Sequence, residues 1–349
     1  MKQTKRLLRI IIPFVAIISA VFFIPWTMAW AWLAPASDTV QEQVDHALVY
    51  GMDGIIVYVD QAGKPPAFYS AGLTSREHNV PINPHALFKI GSISKLYIAA
   101  ATVKIINSKS LSLDDTLSKL LPKLADRIEN ADQITLRMLL QHRSGIPDWI
   151  DDPAFPWSKP STDVDEVLAL VLGDRSEFKP DTRYDYSNTN YLLIGKILDK
   201  TLGYSHQQYI KREILTPFGL THTFGLLSEA HITEVVSGYD SHWDKDVKML
   251  DFVAPGGSMV ATAQDVGIFL RALNDSTLLS KNEQAIYSSV YPYEHTGLLP
   301  GYQNIARYHK DIDAVVIQFV NTSGGDMWTI SEIIYNNIIS ILSREKKNR

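Results

Sequence analysis

The sequence predicts an α/β chain of the α+β type: an antiparallel sheet flanked by helices and formed from both termini, a mostly helical second subdomain, and an N-terminal membrane segment. Three observations predict it. The run from Ile10 to Ser37 carries no charged residue. Strand-like runs lie near both ends of the remaining chain, at Gly54–Asp60 (GIIVYVD) and Ala314–Val320 (AVVIQFV). Between them, 111–289 is mostly helical patches separated by loops that contain Pro and Gly. The expected division is 1–9 as a cytoplasmic N-terminus, 10–36 as a transmembrane anchor or signal segment, and 38–349 as the body. Within the body, 38–110 plus 290–349 form the α/β part and 111–289 the helical part.

The N-terminal run exceeds the ~20 apolar residues that span a bilayer. Lys2, Lys5, Arg6 and Arg9 precede it with no acid, which places the N-terminus in the cytoplasm and the body on the outer side. Two readings fit. A cleaved signal would have its apolar core at Ile10–Ile24, Pro25 as a breaker and a small-x-small site at Ala29–Ala31 or Ala34–Ala36. A retained anchor would use the whole stretch and set Trp26, Trp30 and Trp32 in the outer interfacial belt. The tryptophans favour retention, because bulky rings sit awkwardly beside a cleavage site.

In the body, a first helix ends over Val44–Tyr50, and Gly54–Asp60 and Pro66–Ala71 read as strands joined by a turn at Gln61–Lys64. Ile93–Ile106 is apolar with few breakers and reads as a buried helix. Further helical patches follow at Leu136–Gln141, Val164–Leu172, Tyr191–Leu202, Gln207–Leu215 and Ala263–Leu273, the last with Thr262 as N-cap. After the strand at Ala314–Val320, the positions Ile330, Ile334, Ile338 and Ile341 mark one face of a C-terminal helix. Asp163 and Asp165 fit a helix N-terminus, and Asp311 and Asp313 fit a turn.

Composition narrows the function. The chain of 349 residues is 46% hydrophobic and 20% charged, which is globular material. It has no Cys, hence no disulfide, thiolate metal site or Cys nucleophile. The net charge is −5 although the first 36 residues are purely basic, so the body is acidic and unsuited to nucleic acid as its main partner. The ten His lack metal-ligand spacing, and no G-x-S-x-G, H-E-x-x-H or P-loop pattern occurs. No metal or other cofactor is expected.

A different nucleophile pattern is present. Ser92-Ile93-Ser94-Lys95 is an S-x-x-K; on a helix, residues three apart share a face, so Lys95 Nζ can reach Ser92 Oγ. A neutral Lys in a desolvated pocket can take the serine proton. Two other S-x-x-K spacings occur, Ser176/Lys179 and Ser343/Lys346. Lys179 precedes Pro180, which disfavours helix, and Lys346 lies in the charged tail. Only Ser92/Lys95 opens an apolar helix, where a lysine is expensive unless it is functional or paired.

Phe88–Lys95 (FKIGSISK) resembles the nucleophile motif of the serine β-lactamase and penicillin-binding protein superfamily. Tyr186-Ser187-Asn188 resembles the Y-x-N motif of its class C β-lactamase, D-Ala-D-Ala peptidase and esterase branch, and His295-Thr296-Gly297 the K/H-T-G motif, in the family's order. Leu139–Pro147 (LLQHRSGIP) and Gly256–Asp265 (GGSMVATAQD) resemble two further family segments. The resemblance implies roles. Ser92 would be the acylated nucleophile, Lys95 its proton partner and Tyr186 a general acid/base whose phenol is depressed by a nearby ammonium. Asn188 would hold the substrate amide and Lys95. The backbone amides of Ser92 and Leu298 would form the oxyanion hole, with Gly297 keeping the motif's glycine. His295 and Thr296 would line a pocket for a substrate carboxylate. His142 and Asp265 read as structural, and Ser94 as a bystander. His rather than Lys at 295 is similar to the peptidase and esterase branches, with Glu294 placed either to raise its pKa or to crowd the strand, and the short interval from Gly257 to His295 implies a trimmed sheet edge or binding surface.

The resulting expectation is an extracytoplasmic, membrane-associated serine hydrolase acting through an acyl-enzyme, of D-Ala-D-Ala carboxypeptidase or penicillin-binding type. Its partners would be a small-molecule or peptidoglycan-like substrate and, through 10–36, the membrane. The alternatives are a class C-like β-lactamase or esterase, and a non-catalytic penicillin-recognising sensor.

Overall fold

A computed structural model describes residues 12, 15, 19, 20 and 22–347 except residue 244. Helix α1, Trp26–Leu33, leads to α2, Val40–Ala47, which is closed at its start by a reciprocal Thr39/Glu42 capping box. Strands β1 (Gly54–Gln61), β2 (Ala67–Ser75) and β3 (Val80–Pro81) follow. The buried helix α3 is Ser94–Asn107, and α4, Asn188–Leu202, ends on Gly203 in the left-handed conformation. Helix α5 is Ala263–Asn274, with the Thr262 side chain accepting from Asp265 N as expected for its cap, and α6 is Lys281–Ser288. The chain closes with β4 (His295–Leu299), β5 (Tyr302–His309), β6 (Ala314–Val320) and α7 (Met327–Lys347).

The main sheet has the order β3-β2-β1-β6-β5-β4 and is antiparallel throughout. Its centre joins the two ends of the body: β1 pairs with β6 from Ile55↔Val320 to Gln61↔Ala314. Alternation along β1 sends Ile55, Val57 and Val59 to one face, with Val44 of α2 and Ile330, Ile334, Ile338 and Ile341 of α7. Ile56 and Tyr58 face the other way, into a larger core with α3, α4 and α5. Helix α5 lies directly on β1, β5 and β6, although it falls within the stretch 111–289. Arg271 on α5 ties this layer together by pairing with Asp60 and Asp313.

The expected strands and helices occur, shifted by a few residues at their ends. One feature differs. Residue patterning announces no strand at 295–309, where β4 and β5 form the sheet edge. Gln303 and Asn304 are buried polar residues in β5, and they break the apolar pattern that announces β6. The expected membrane segment, 10–36, falls only partly within the described residues. Among the described residues no helix is long and apolar enough to cross a membrane. Half of the run 10–25 lies outside the described residues, and the described part of 10–36 includes the eight-residue α1.

Candidate active site

Ser92 sits in a 3-10 turn, Gly91–Ile93, that runs straight into α3. The three-residue spacing brings Lys95 Nζ to 2.9 Å from Ser92 Oγ. The lysine is fully buried, so its donors need partners in the protein. They find Asn188 Oδ1 at 2.8 Å and Gly256 O at 2.9 Å. Ser94 is not idle: its hydroxyl donates to Gly91 O at 2.6 Å and accepts from Met259 N at 3.3 Å, pinning the turn to the segment beside Gly256.

Tyr186 and Asn188 arrive at the start of α4, held by the loop 142–149. His142, at φ 55°, accepts from Ser187 N at 3.2 Å and stacks on the Tyr186 ring with centroids 4.4 Å apart. Thr189 Oγ1 donates to Pro147 O at 2.7 Å and accepts from Trp149 N at 3.1 Å. The Tyr186 hydroxyl then donates to Ser92 Oγ at 2.8 Å. Ser92, Lys95, Tyr186 and Asn188 therefore meet as the sequence predicts.

One participant escaped the sequence reading. Asp148, 7% exposed, accepts from Asn188 Nδ2 at 2.8 Å. A carboxylate can only accept, so it fixes which end of the Asn188 amide turns toward Lys95. The available signal was position: Asp148 directly follows LLQHRSGIP, although nothing in that stretch announces burial.

The electrostatics follow from burial. Loss of hydration pushes Lys95 down to about 7, with the Asp148 charge pulling the other way. Burial also raises Tyr186 well above the ordinary phenol value, partly offset by its bond to Ser92. The expected depression of the phenol is thus reversed, and Tyr186 is a neutral donor in the resting site. His295 is pushed down to about 4 by burial and then by Lys95, so its imidazole is neutral near pH 7. Glu294 does not raise it; its carboxylate faces Arg307 at 3.9 Å.

Strand β4 closes the site from the other side. A Cβ on Gly91 would lie 3.0 Å from Leu298 N, which shows how closely the Leu298 amide approaches the Gly91–Ser92 turn. A Cβ on Gly297 would fall 1.9 Å from Ile90 O, so only glycine permits this approach. Leu298 lines a cleft of about 800 Å³ that opens over Ser92, Tyr186 and Asn188. His295 opens elsewhere, into a second cleft with His142, Arg143, Tyr184 and Tyr291 that meets the first only at Tyr186. Its ring stacks on Tyr291, with centroids 5.8 Å apart. Thr296 lines neither cleft. Of the alternative pairs, Ser176 is taken by Asn130 and by Glu129. Asp265 accepts from His222 N at 2.8 Å and Thr223 Oγ1 at 3.0 Å, a structural role as expected.

Comparison with known proteins agrees with this architecture. The Beta-lactamase family model matches residues 37–291. PbpX of Bacillus subtilis (strain 168) is 27% identical over 268 residues, 72% of this chain and 66% of that protein. Protein flp of Staphylococcus aureus (strain COL) is 29% identical over 189 residues, 52% of this chain and 38% of that protein. The chain thus spans less than two thirds of the length of these relatives. D-amino acid amidase from Ochrobactrum anthropi SV3, solved with L-phenylalanine amide, shares the fold with a TM-score of 0.77 at 20% identity, over 88% of this chain and 98% of that one. A penicillin binding protein from Bacillus halodurans shares it with a TM-score of 0.73 at 19% identity, over 86% and 98%. A family match over most of the body, on a sheet and helices that superpose on these structures, makes the chain a member of the Beta-lactamase family, with the fold of its serine hydrolases.

Proposed function

We propose that the protein hydrolyses an amide or ester through an acyl-enzyme on Ser92. The observation that carries this is the placement of Ser92 Oγ between Lys95 Nζ and the Tyr186 hydroxyl, at 2.9 and 2.8 Å, on the floor of the larger cleft. Neutral Lys95 takes the Ser92 proton while Oγ bonds to the substrate carbonyl carbon. The carbonyl oxygen, now negative, is held by the amides of Ser92 and Leu298. The bond to the leaving group breaks as Tyr186 gives it the phenol proton. The phenolate so formed is stabilised by the Lys95 ammonium, whose Nζ lies 5.0 Å from the Tyr186 ring centroid. Water reverses the sequence: its proton goes to the phenolate, its oxygen to the acyl carbon, and Lys95 returns a proton to Ser92. Asn188, held by Asp148, keeps Lys95 on this path.

Two substrate classes compete, a D-Ala-terminated peptide and an amide or ester without a carboxylate. The second is favoured by a specific observation. His295 is neutral near pH 7 and faces away from the cleft over Ser92, and Arg143 in the second cleft is engaged by Asp181. A carboxylate clamp has no free cation there.

The test is covalent labelling by a fluorophosphonate and by fluorescent penicillin. Ser92→Ala should abolish it, whereas Ser176→Ala and Ser343→Ala should not. Labelling that persists in Ser92→Ala removes the nucleophile from the proposal. We further propose that residues 10–36 anchor the body on the outer face of a membrane. This reading is supported by the four preceding cations and by the exposed Phe22, Phe23, Trp30 and Trp32.

A further inference from the structure

The larger cleft carries information on the acyl part of the substrate, which deepens the acyl-transfer reading and rests on it. Its walls are a connected set of aromatic rings. Trp149 packs on Phe155 at 4.7 Å, Phe155 on Trp157 at 4.8 Å and Trp157 on Phe252 at 6.1 Å between centroids. Trp149, Trp157 and Phe252 face the cleft, joined across it by Trp243, Leu298 and Leu299. The charge there is as telling. Apart from Tyr186, the titratable side chains that line the cleft are Asp240 and His242, which bond to each other at 2.7 Å. No Lys or Arg lines it among the described residues. Its ~800 Å³ is a volume suited to a ligand well beyond acetyl size.

We propose that the acyl group transferred to Ser92 is bulky, apolar and uncharged: a medium-length aliphatic or arylalkyl acyl group on an ester or amide. Apolar surface gains from leaving water, and the aromatic walls offer it contact area. An anionic acyl group would lose hydration, find no cation and meet the Asp240 carboxylate. Of the polar side chains that remain, Ser92, Asn188 and Tyr186 stand at the reacting carbonyl, and the Ser323 hydroxyl is already engaged by Asp240 and Gly301 N.

The experiment uses the full-length protein with p-nitrophenyl esters from acetate to octanoate, together with the phenylacetate and the anionic hemisuccinate. Active sites are counted by fluorophosphonate labelling of Ser92. The value of kcat/KM should rise by up to about fourfold per added methylene until the cleft is filled. Phenylacetate should exceed acetate by about tenfold or more, and hemisuccinate should fall below pentanoate by a similar factor. Trp157→Ala and Trp243→Ala, both in the cleft lining, should each flatten the chain-length series while labelling continues. A flat or falling series, a preference for hemisuccinate, or an unchanged slope in both tryptophan variants overturns the inference even though Ser92 is labelled. Absence of labelling at Ser92 overturns the acyl-transfer reading and this one with it.

Discussion

Burying a lysine strips hydration from its charged form, and at Lys95 this places the titration at about 7, where a base is useful. On the proposed mechanism the neutral amine is the active form. Turnover should therefore fall as pH drops below about 7, roughly tenfold per unit, in a kcat/KM profile. Asp148 sharpens the test. Its carboxylate favours the ammonium, so Asp148→Asn should move the acid limb to lower pH. The same change frees the Asn188 amide to rotate, so kcat should fall about tenfold or more with a smaller effect on KM. A merely structural Asp148 would not shift the limb. His295→Gln should leave that limb in place, because His295 titrates near 4. A limb that follows His295 instead would return the imidazole to the chemistry. At this scale most of the site was legible, because S-x-x-K and Y-x-N are short spacings that survive any shift of element ends. Asp148 was not, since its contact with Asn188 joins positions 40 apart in sequence.

Among the elements, β4 is the one on whose position the proposed chemistry depends most. It carries Leu298 to the turn that holds Ser92, and Gly297 makes the approach possible. Gly297→Ala would set a methyl against the Ile90 carbonyl, a backbone atom that cannot rotate aside. Overpacking of this kind costs about 1–3 kcal/mol, so the melting temperature should fall modestly. The larger effect should be on kcat, about 10²–10³-fold if the Leu298 amide is displaced as an oxyanion donor. Equal retention of kcat would show that β4 can yield without disturbing the site. The elements also differ in how readily the sequence disclosed them. Helix α5 had its cap, α7 its four isoleucines, and β6 an apolar run interrupted only by Gln318. Strand β5 did not announce itself because Gln303 and Asn304 are buried within it, and the Asn304 side-chain amide donates to Lys89 O at 2.9 Å. A polar residue bought into the core by one tertiary hydrogen bond looks, in sequence, like a turn.

Over the whole molecule, the acidic body and the basic, then apolar, leader point in one direction. Cell fractionation should place the full-length chain with membranes, and externally added protease should reach the body only from the outer side. A soluble mature form beginning near Trp32 or Ser37 would show that the segment is cleaved. The overall layout was legible because strands at both ends with helices between them leave few sheet architectures. The pairing of β1 with β6 has a consequence for how the enzyme is made. Contacts between distant parts of a chain form late and slowly, because the intervening loop must close first. A nascent chain halted before residue 295 already holds Ser92, Lys95 and Tyr186, yet lacks β4, β5 and β6. It has neither the partner strand for β1 nor the Leu298 amide beside the nucleophile. Synthesis from the N-terminus thus withholds the Leu298 wall of the site until long after Ser92 itself has emerged, and on the acyl-transfer reading a chain still in transit would lack the oxyanion donor it needs to acylate itself on whatever it meets.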